Sequence, residues 1–318
     1  MQLTNPRFAP SPNIICSLLL VPALLVGGCE PREPAAQGGP AKLAFKVSGK
    51  LQSRALDEAS GLQALPDGQL VVHNDDGAKL YLCDTAGMDL GTIGVDGASN
   101  RDWEDLTLAP GENGDLLVIG DIGDNNHVRK HISLYFVRPP LPADKKEGIP
   151  VVHRVRLRYP DGPRDAESLA YDAESDRLLI MSKRDKPPRL YGVQRDLALW
   201  KDELQLEYLG DVPGFRPPDR ADMLRHPLRG QWVSQPTGMD IRLDGTLAAV
   251  LTYRSLYLFR RAEGEGWPEA FRRKPVEVPG PPGIYDEAVG FSRDGRSIYV
   301  TTERRPAPLY RLDLPDDL

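Results

Sequence analysis

From residue 43 onward, short apolar segments alternate with clusters of Gly, Pro, Asn and Asp. That pattern predicts strands joined by tight turns rather than long helices. One unit recurs five times. Its clearest mark is the pair Leu-Tyr, at Leu80-Tyr81, Leu134-Tyr135, Leu190-Tyr191, Leu256-Tyr257 and Leu309-Tyr310, each inside an alternating apolar segment. Between 17 and 28 residues earlier stands a second mark: Ser60-Gly61-Leu62, Glu104-Asp105-Leu106, Glu167-Ser168-Leu169, Thr237-Gly238-Met239 and Glu287-Ala288-Val289. A turn signal and a β-rich run separate the two, as in Pro66-Asp67-Gly68 followed by Leu70 to Val72. A fourth strand follows most copies, at Leu90 to Val95, Val151 to Tyr159, Leu204 to Leu209 and Val276 to Val278.

Copies of four antiparallel strands, about 45 to 70 residues apart, have the period of a propeller blade. The fold class read from this is all-β, a β-propeller of five four-stranded blades. A sixth blade is the alternative if residues 193–233, with their Pro/Arg-rich stretch, hide a degenerate copy. A β-sandwich would explain the strands but not the recurrence of Leu-Tyr. The last copy ends at Leu314 with three strands, and Leu43 to Leu51 is an unassigned strand at the other end of the body. Pairing it beside Leu309 and Tyr310 would close the ring and remove a sheet edge. Its Leu43, Phe45, Val47 alternation supplies an apolar face to bury.

In an up-and-down blade, the loop into the first strand and the loop between the second and third strands share one face. Aligned on Leu62, Leu106, Leu169, Met239 and Val289, the residues leading into the first strands are Glu58 and Ser60, Asp102 and Glu104, Asp165 and Glu167, Thr237, then Asp286 and Glu287. The second loops carry Asn74-Asp75-Asp76-Gly77, Asp121 with Asp124 and Asn125, Lys183-Arg184-Asp185, Tyr253-Arg254 and Glu303-Arg304-Arg305. One channel rim is therefore acidic over two blades and mixed or basic over three. Clustered carboxylates and the Asn74 and Asn125 amides suit a hard cation such as Ca²⁺, with Asp75, Glu104, Asp121 and Glu167 as candidate ligands. Lys183, Arg184, Arg254 and Arg304 suit an anionic group. The competing account pairs opposite charges around the pore and leaves Asn, Asp and Gly to satisfy turns.

Ahead of the body, residues 14–28 form an apolar run too short to span a bilayer stably, the profile of a signal-peptide core. It ends in Val26-Gly27-Gly28-Cys29, which resembles the lipobox of bacterial lipoproteins, with Val26 where Leu is usual. The resemblance implies diacylglycerol on Cys29, cleavage before it and acylation of the new amino terminus. Several acyl chains give stable anchoring where one would be marginal. Glu30 at the next position favours the outer membrane, facing the periplasm. The expected organisation is a signal peptide over 1–28, a Pro/Gly/Ala-rich tether over 29–41 and the propeller over 42–318. Cys83 is then the one thiol of the body, in an apolar strand pattern that suits an inert buried residue.

Charge and composition narrow the partners. With 40 basic and 46 acidic residues the formal charge is −6, so nothing favours nucleic acid. Gly and Pro, 30 each, are too many for a helical bundle. His127 and His131 are four apart, as zinc ligands on a helix would be, but the following Ile132 to Val137 alternates like a strand. No hydrolase, protease, nucleotide or redox motif is present, and Asp121-Ile-Gly-Asp124 lacks the EF-hand alternation and its distal Glu.

The stretches Glu58-Ala-Ser-Gly-Leu62, His73-Asn-Asp-Asp-Gly77, Asp102-Trp-Glu-Asp105, Gly120-Asp-Ile-Gly-Asp-Asn125 and Asp165-Ala-Glu-Ser168 resemble the signatures of a group of bacterial propeller lipoproteins. That group is distantly similar to the propeller family named for esterase-like activity of phytase. The resemblance covers roughly residues 50–312, with Asp76 where Ser is usual. It implies a propeller and assigns no reaction. The alkaline phytases' full calcium and phosphate motifs are not recognisable. The sequence thus leads to an anchored binding or scaffold module that meets a small anionic ligand or an envelope protein. The alternative is a divalent-metal-assisted esterase or phosphoesterase at the channel mouth.

Overall fold

The computed structural model describes residues 43–282, 286–303 and 305–318. The segments expected to be a signal peptide and a tether, with Cys29, and Arg304 lie outside the described residues. Of twenty-one strands among the described residues, twenty build five four-stranded blades, the outer strands of blades one and two also meeting in a short parallel pairing. Blade one is β2 (Ala59–Ala64), β3 (Leu70–Asn74), β4 (Lys79–Cys83) and β5 (Asp89–Asp96). Blade two is β6 (Trp103–Gly111), β7 (Gly114–Asp121), β8 (Ile132–Val137) and β9 (Ile149–Arg158). Blade three is β10 (Ala166–Asp172), β11 (Arg177–Ser182), β12 (Arg189–Gln194) and β14 (Glu207–Asp211). Blade four is β15 (Pro236–Ile241), β16 (Leu247–Thr252), β17 (Ser255–Arg260) and β18 (Val276–Pro279). Blade five joins β19 (Asp286–Phe291), β20 (Ser297–Thr302) and β21 (Pro308–Asp313) to the N-terminal β1 (Lys46–Lys50).

The closure is as expected: β1 runs antiparallel to β21, with Val47 opposite Tyr310 and Gly49 opposite Leu309. Leu43 and Phe45 of the expected apolar face pack against the layer between blades four and five, Val47 is exposed, and Leu51, buried in the layer between blades five and one, is the anchor. Leu51 also makes the last bridge of the ring, its N–H donating to the Ala307 carbonyl at 2.8 Å.

Five apolar layers hold the ring, each between two successive blades. In every Leu-Tyr pair the leucine faces the next blade and the tyrosine the preceding one: Leu134 packs toward blade three and Tyr135 toward blade one, Leu309 toward blade one and Tyr310 toward blade four. Successive strand residues point to opposite faces, so a strand between two blades must be apolar on both. In β16, Leu247, Ala249 and Leu251 face blade five while Ala248 and Val250 face blade three. The repeated dipeptide is thus the cog that meshes neighbouring blades.

Residues 193–233 hold no sixth blade. They contain helix α1 (Arg195–Trp200), strand β13 (Glu203–Gln205), β14 and helix α2 (Arg220–Arg225). The single strand expected over Leu204 to Leu209 breaks at the buried Leu206, and its first part leaves the blade to pair β9 in parallel, Leu204 opposite Leu157. Cys83 is buried and free, and burial pushes its thiol up to about 12, an inert residue. His131 meets Glu203 at 3.3 Å, and His127 sits in a turn at positive φ with its N–H on the Asp124 carbonyl, so the two do not converge on a metal.

Candidate functional site

Each of the five inner strands carries a β-bulge at the same register position. The ladder skips Ser60, Glu104, Glu167, Thr237 and Glu287. A bulge leaves one residue unpaired and re-aims its side chain. Four of these five side chains, all but Thr237, line a cup of about 350 Å³ in the channel mouth. A second ring comes from the residue that follows each second strand: Asp75, Lys183, Tyr253 and Glu303 line the cup, and blade two places the buried Ile122 at that position. Asp102, Asn125, Arg184, Arg229, Trp232 and Gln235 complete the wall.

Beneath the bulges the channel is plugged. The next inner positions are Gly61, Asp105, Ser168, Gly238 and Ala288, four small residues and one acid. Asp105 occupies the room they leave: its carboxylate accepts the N–H groups of Leu106 (2.9 Å), Leu169 (2.8 Å) and Met239 (3.0 Å), tying blades two, three and four. Two residues along β15, Asp240 accepts from Ile241 and Phe291, both at 2.8 Å, and so ties blade four to blade five. The cup is therefore a blind pocket.

Its chemistry is acidic. Six carboxylates, of Asp75, Asp102, Glu104, Glu167, Glu287 and Glu303, face three bases, Lys183, Arg184 and Arg229. Lys183 hydrogen-bonds Glu167 through its Nζ, which also donates to the Tyr253 hydroxyl at 2.8 Å. Arg184 Nε pairs with the buried Asp165 at 2.5 Å, and its other arm reaches Asn125. Ser60 Oγ donates to Glu104 at 3.1 Å. Oxygens of Glu104, Asp165 and Glu167 lie within 4.8 Å of one another, all three residues buried. Glu167 spends Oε1 on Lys183 and leaves Oε2 buried without a partner. Gly123 makes the approach possible, since a Cβ there would collide with Glu104 and Asp102.

Too many carboxylates in too little water hold protons tightly. Burial, then Glu167, keeps Glu104 well above the ordinary carboxylate range. Burial lifts Glu167 to about 7 against the pull of Lys183. Burial, then the Glu167 charge, raises Glu287 well above its usual value. Asp75 reaches about 7 through burial, then Glu58, which hydrogen-bonds it, then Glu303 and Asp102. Asp102 rises through burial and Asp165, and Glu303 through burial. Burial alone would lower Lys183, but Glu167, Glu287, Tyr253 and Glu104 together push it well up.

Of the candidates read from the sequence, Asp75, Asp102, Glu104, Asn125, Glu167, Lys183, Arg184, Glu287 and Glu303 meet in the cup, with Asp165 directly behind. The others stand elsewhere. Asn74 braces the preceding loop, its amide donating to the Ala55 carbonyl (2.8 Å) and Asp57 (3.1 Å). Glu58 and Asp76 are exposed at the rim. Asp121, a candidate metal ligand, is taken by the buried Arg129 at 2.9 Å, so the third carboxylate of the triad is Asp165. Asp124 caps a turn by accepting from Val128 (3.0 Å) and Arg129 (2.9 Å). Arg254 does not line the cup. It binds Asp222 at 2.6 Å and the Arg216 carbonyl at 2.5 Å, latching the segment that carries α2. Arg229, Trp232 and Gln235 come from that same segment, which has no counterpart in the repeat and gave no signal. Ser60 and Tyr253 stood in the alignment but carried no charge to single them out.

An apolar groove of about 340 Å³ adjoins the cup, walled by Pro187, Pro188, Val212, Phe215, Pro217 and Pro218, with Lys183 and Gln235 common to both.

No family model matches the sequence, and no curated protein is similar to it in sequence. The resemblance to the phytase-related propellers therefore stands on its motifs. Among solved structures, a PQQ-bound aldose sugar dehydrogenase from Streptomyces coelicolor is similar over 87% of this chain and 99% of its own, at 14% identity and a TM-score of 0.44. A protein described as a putative gluconolactonase matches over 86% and 93%, at 11% identity and a TM-score of 0.45. A luciferin-regenerating enzyme matches over 85% and 95%, at 10% identity and a TM-score of 0.44.

Proposed function

We propose that this chain is a lipid-anchored protein of the bacterial cell envelope whose channel cup binds a divalent cation and, through it, an anionic ligand. The observation that carries the reading is the buried Glu104, Asp165 and Glu167 triad with its unpartnered Glu167 oxygen. Opposite oxygens around a calcium ion, each about 2.4 Å from it, stand about 4.8 Å apart. The triad spans no more than that. Lys183 and Arg184 neutralise two of the three charges, and Glu104, with Asp102 beside it, still demands a proton or a cation. An all-oxygen donor set selects a hard ion, Ca²⁺ before zinc. Glu104, Asp165 and Glu167 would hold it, with Ser60 within reach of Glu104. Anchoring through Cys29, on the periplasmic side of the outer membrane, is proposed from Val26-Gly27-Gly28-Cys29 alone.

Metal analysis of the purified protein and calcorimetric titration with CaCl₂ test the site. Saturable binding that is lost in Glu104→Gln supports it, and no binding in the wild type refutes it.

One observation favours a second reading, the metal-assisted esterase or phosphoesterase. The apolar groove beside Lys183 gives the organic part of an ester a place next to the acidic cup, as small-molecule sites combine apolar walls with a few polar groups. A panel of aryl esters and phosphoesters with and without Ca²⁺ separates the two. Turnover that vanishes in Glu104→Gln establishes the enzyme, and its absence across the panel leaves the binding module.

A further inference from the structure

A second cavity, of about 320 Å³, opens on the flank of blade two that faces blade one, and it shares no lining residue with the channel cup. Its charge is the reverse of the cup's. Arg101, Arg129, Lys130, His131, Arg154 and Arg156 line it, and Asp121 is the one acid among its lining residues. In a chain of formal charge −6 this concentration has a local cause. Strand β9 places Arg154 and Arg156 two residues apart on one face, opposite Tyr135 and Ser133 of β8. The loop before β8 supplies Arg129, Lys130 and His131.

Partners are unevenly shared among these bases. Arg129 pairs with Asp121 at 2.9 Å, while Arg156 and His131 share Glu203 at 3.0 and 3.3 Å. Arg101, Lys130 and Arg154 have no acidic partner among the described residues, and Arg154 lies over the Tyr135 ring at 5.6 Å. Arg129 is more than nine-tenths buried in the wall, yet its Nε has no hydrogen-bond partner. Hydroxyls of Ser99, Ser133 and Tyr135 stand in the same wall, Ser99 and Tyr135 linked at 3.1 Å.

We propose that this cavity is a binding site for a small phosphorylated molecule, a phosphomonoester carried on a polar, sugar-sized body. Arginine forks match phosphate geometry with paired charge-assisted bonds. Three cations without carboxylate partners call for a ligand of more than one negative charge, which a phosphomonoester carries and a carboxylate does not. The volume falls in the range of small-ligand sites, about 300–1,000 Å³, with room beyond a bare oxyanion for a hydroxylated body to meet the three hydroxyl groups.

The test is calorimetric titration of the full chain at low ionic strength with glucose 6-phosphate, inorganic phosphate and glucose, alongside flotation with phosphatidylglycerol vesicles. Glucose 6-phosphate should saturate one site with a Kd of ~0.1–1 mM, phosphate should bind more weakly, and glucose should not bind. Arg154→Glu and Lys130→Glu, both on the exposed rim, should each weaken glucose 6-phosphate about tenfold or more with unchanged melting curves. Glu104→Gln should leave the isotherm as it is. The proposal is overturned if glucose 6-phosphate shows no saturation by about 10 mM, if both charge reversals leave its affinity unchanged, or if only vesicles bind.

Discussion

Asp105 joins three blades at the channel's centre, and its removal gives a sharp test of how the ring is held. Its carboxylate accepts three backbone N–H groups from three blades, in a layer where Gly61, Ser168, Gly238 and Ala288 offer no other acceptor side chain able to span the gap. Asp105→Ala leaves three buried donors unpaired. Each costs ~1–3 kcal/mol. Part is recovered because a buried carboxylate, which burial disfavours in its charged form, no longer has to be accommodated. A net loss of about 3 kcal/mol remains, or roughly 6–12 °C in Tm for a domain of this size. Asp105→Asn keeps one acceptor oxygen but turns an NH₂ toward another donor, so it should fall between. Asp240→Ala frees two backbone N–H groups, of Ile241 and Phe291, and a Gln63 side chain that can turn to another partner, and should cost less than Asp105→Ala. The assay is reversible thermal unfolding at pH 7 followed by circular dichroism. If Asp105→Ala melts within about 2 °C of wild type, the carboxylate is not what ties the blades and the argument fails.

The acid cluster also sets a pH dependence. Asp240 and Glu167 have folded-state values raised to about 7, so their stabilisation is complete below the unfolded carboxylate range near 4 and is lost as pH rises through 7. Without divalent ions Tm should therefore fall between pH 5 and 8, and a flat profile would contradict the buried cluster. Added CaCl₂ should reverse the loss at pH 8, by about 2.7 kcal/mol at a hundredfold excess over Kd, and do little at pH 5, where protons occupy the same oxygens. Ring closure predicts that a chain starting at Ser53 melts at least ~6 °C below one starting at Glu30, because Leu51 leaves its pocket and the β21 edge is bared. Equal melting temperatures would refute it. For the anchor, Cys29→Ser should move the protein from the membrane to the soluble fraction and abolish fatty-acid labelling, and an unlabelled wild type would remove that claim.

Much of the fold was legible because a propeller repeats its packing problem. Leu-Tyr recurs since each third strand must offer a branched aliphatic to one neighbour and an aromatic to the other, and five blades meet that demand at the same register. Closure was legible from the arithmetic of strands, one missing at the end and one spare at the start. The segment 193–233 misled because α1 and the β13 excursion interrupt blade three, and no local pattern says that Leu204 will join blade two while Tyr208 stays in blade three. Val47 misled because alternation shows which residues share a face and not how far along the strand that face stays covered: Leu43 and Phe45 pack inward while Val47 does not.

The site was readable to the extent that it too repeats. Residues two before Leu106, Leu169 and Val289 are glutamates at the bulge of each inner strand, so aligning the copies brought together side chains far apart in the chain. Two features broke that logic. Asp105 departs from its own ring of small residues, and it reads as one more acid in Glu104-Asp105 until the structure shows it facing down the channel while its neighbour faces up. The bulge accounts for this: it places Glu104 outside the ladder, so consecutive carboxylates serve opposite purposes, one shaping the cup and the other sealing its floor. Asp121 shows the converse. It lies in the most motif-like stretch of the chain, yet Arg129, eight residues on, neutralises it, whereas Asp165 on the next blade reaches the triad. Position in the ring, rather than density of acidic residues, decides which carboxylates act together, and that position is set by the register of the inner strands.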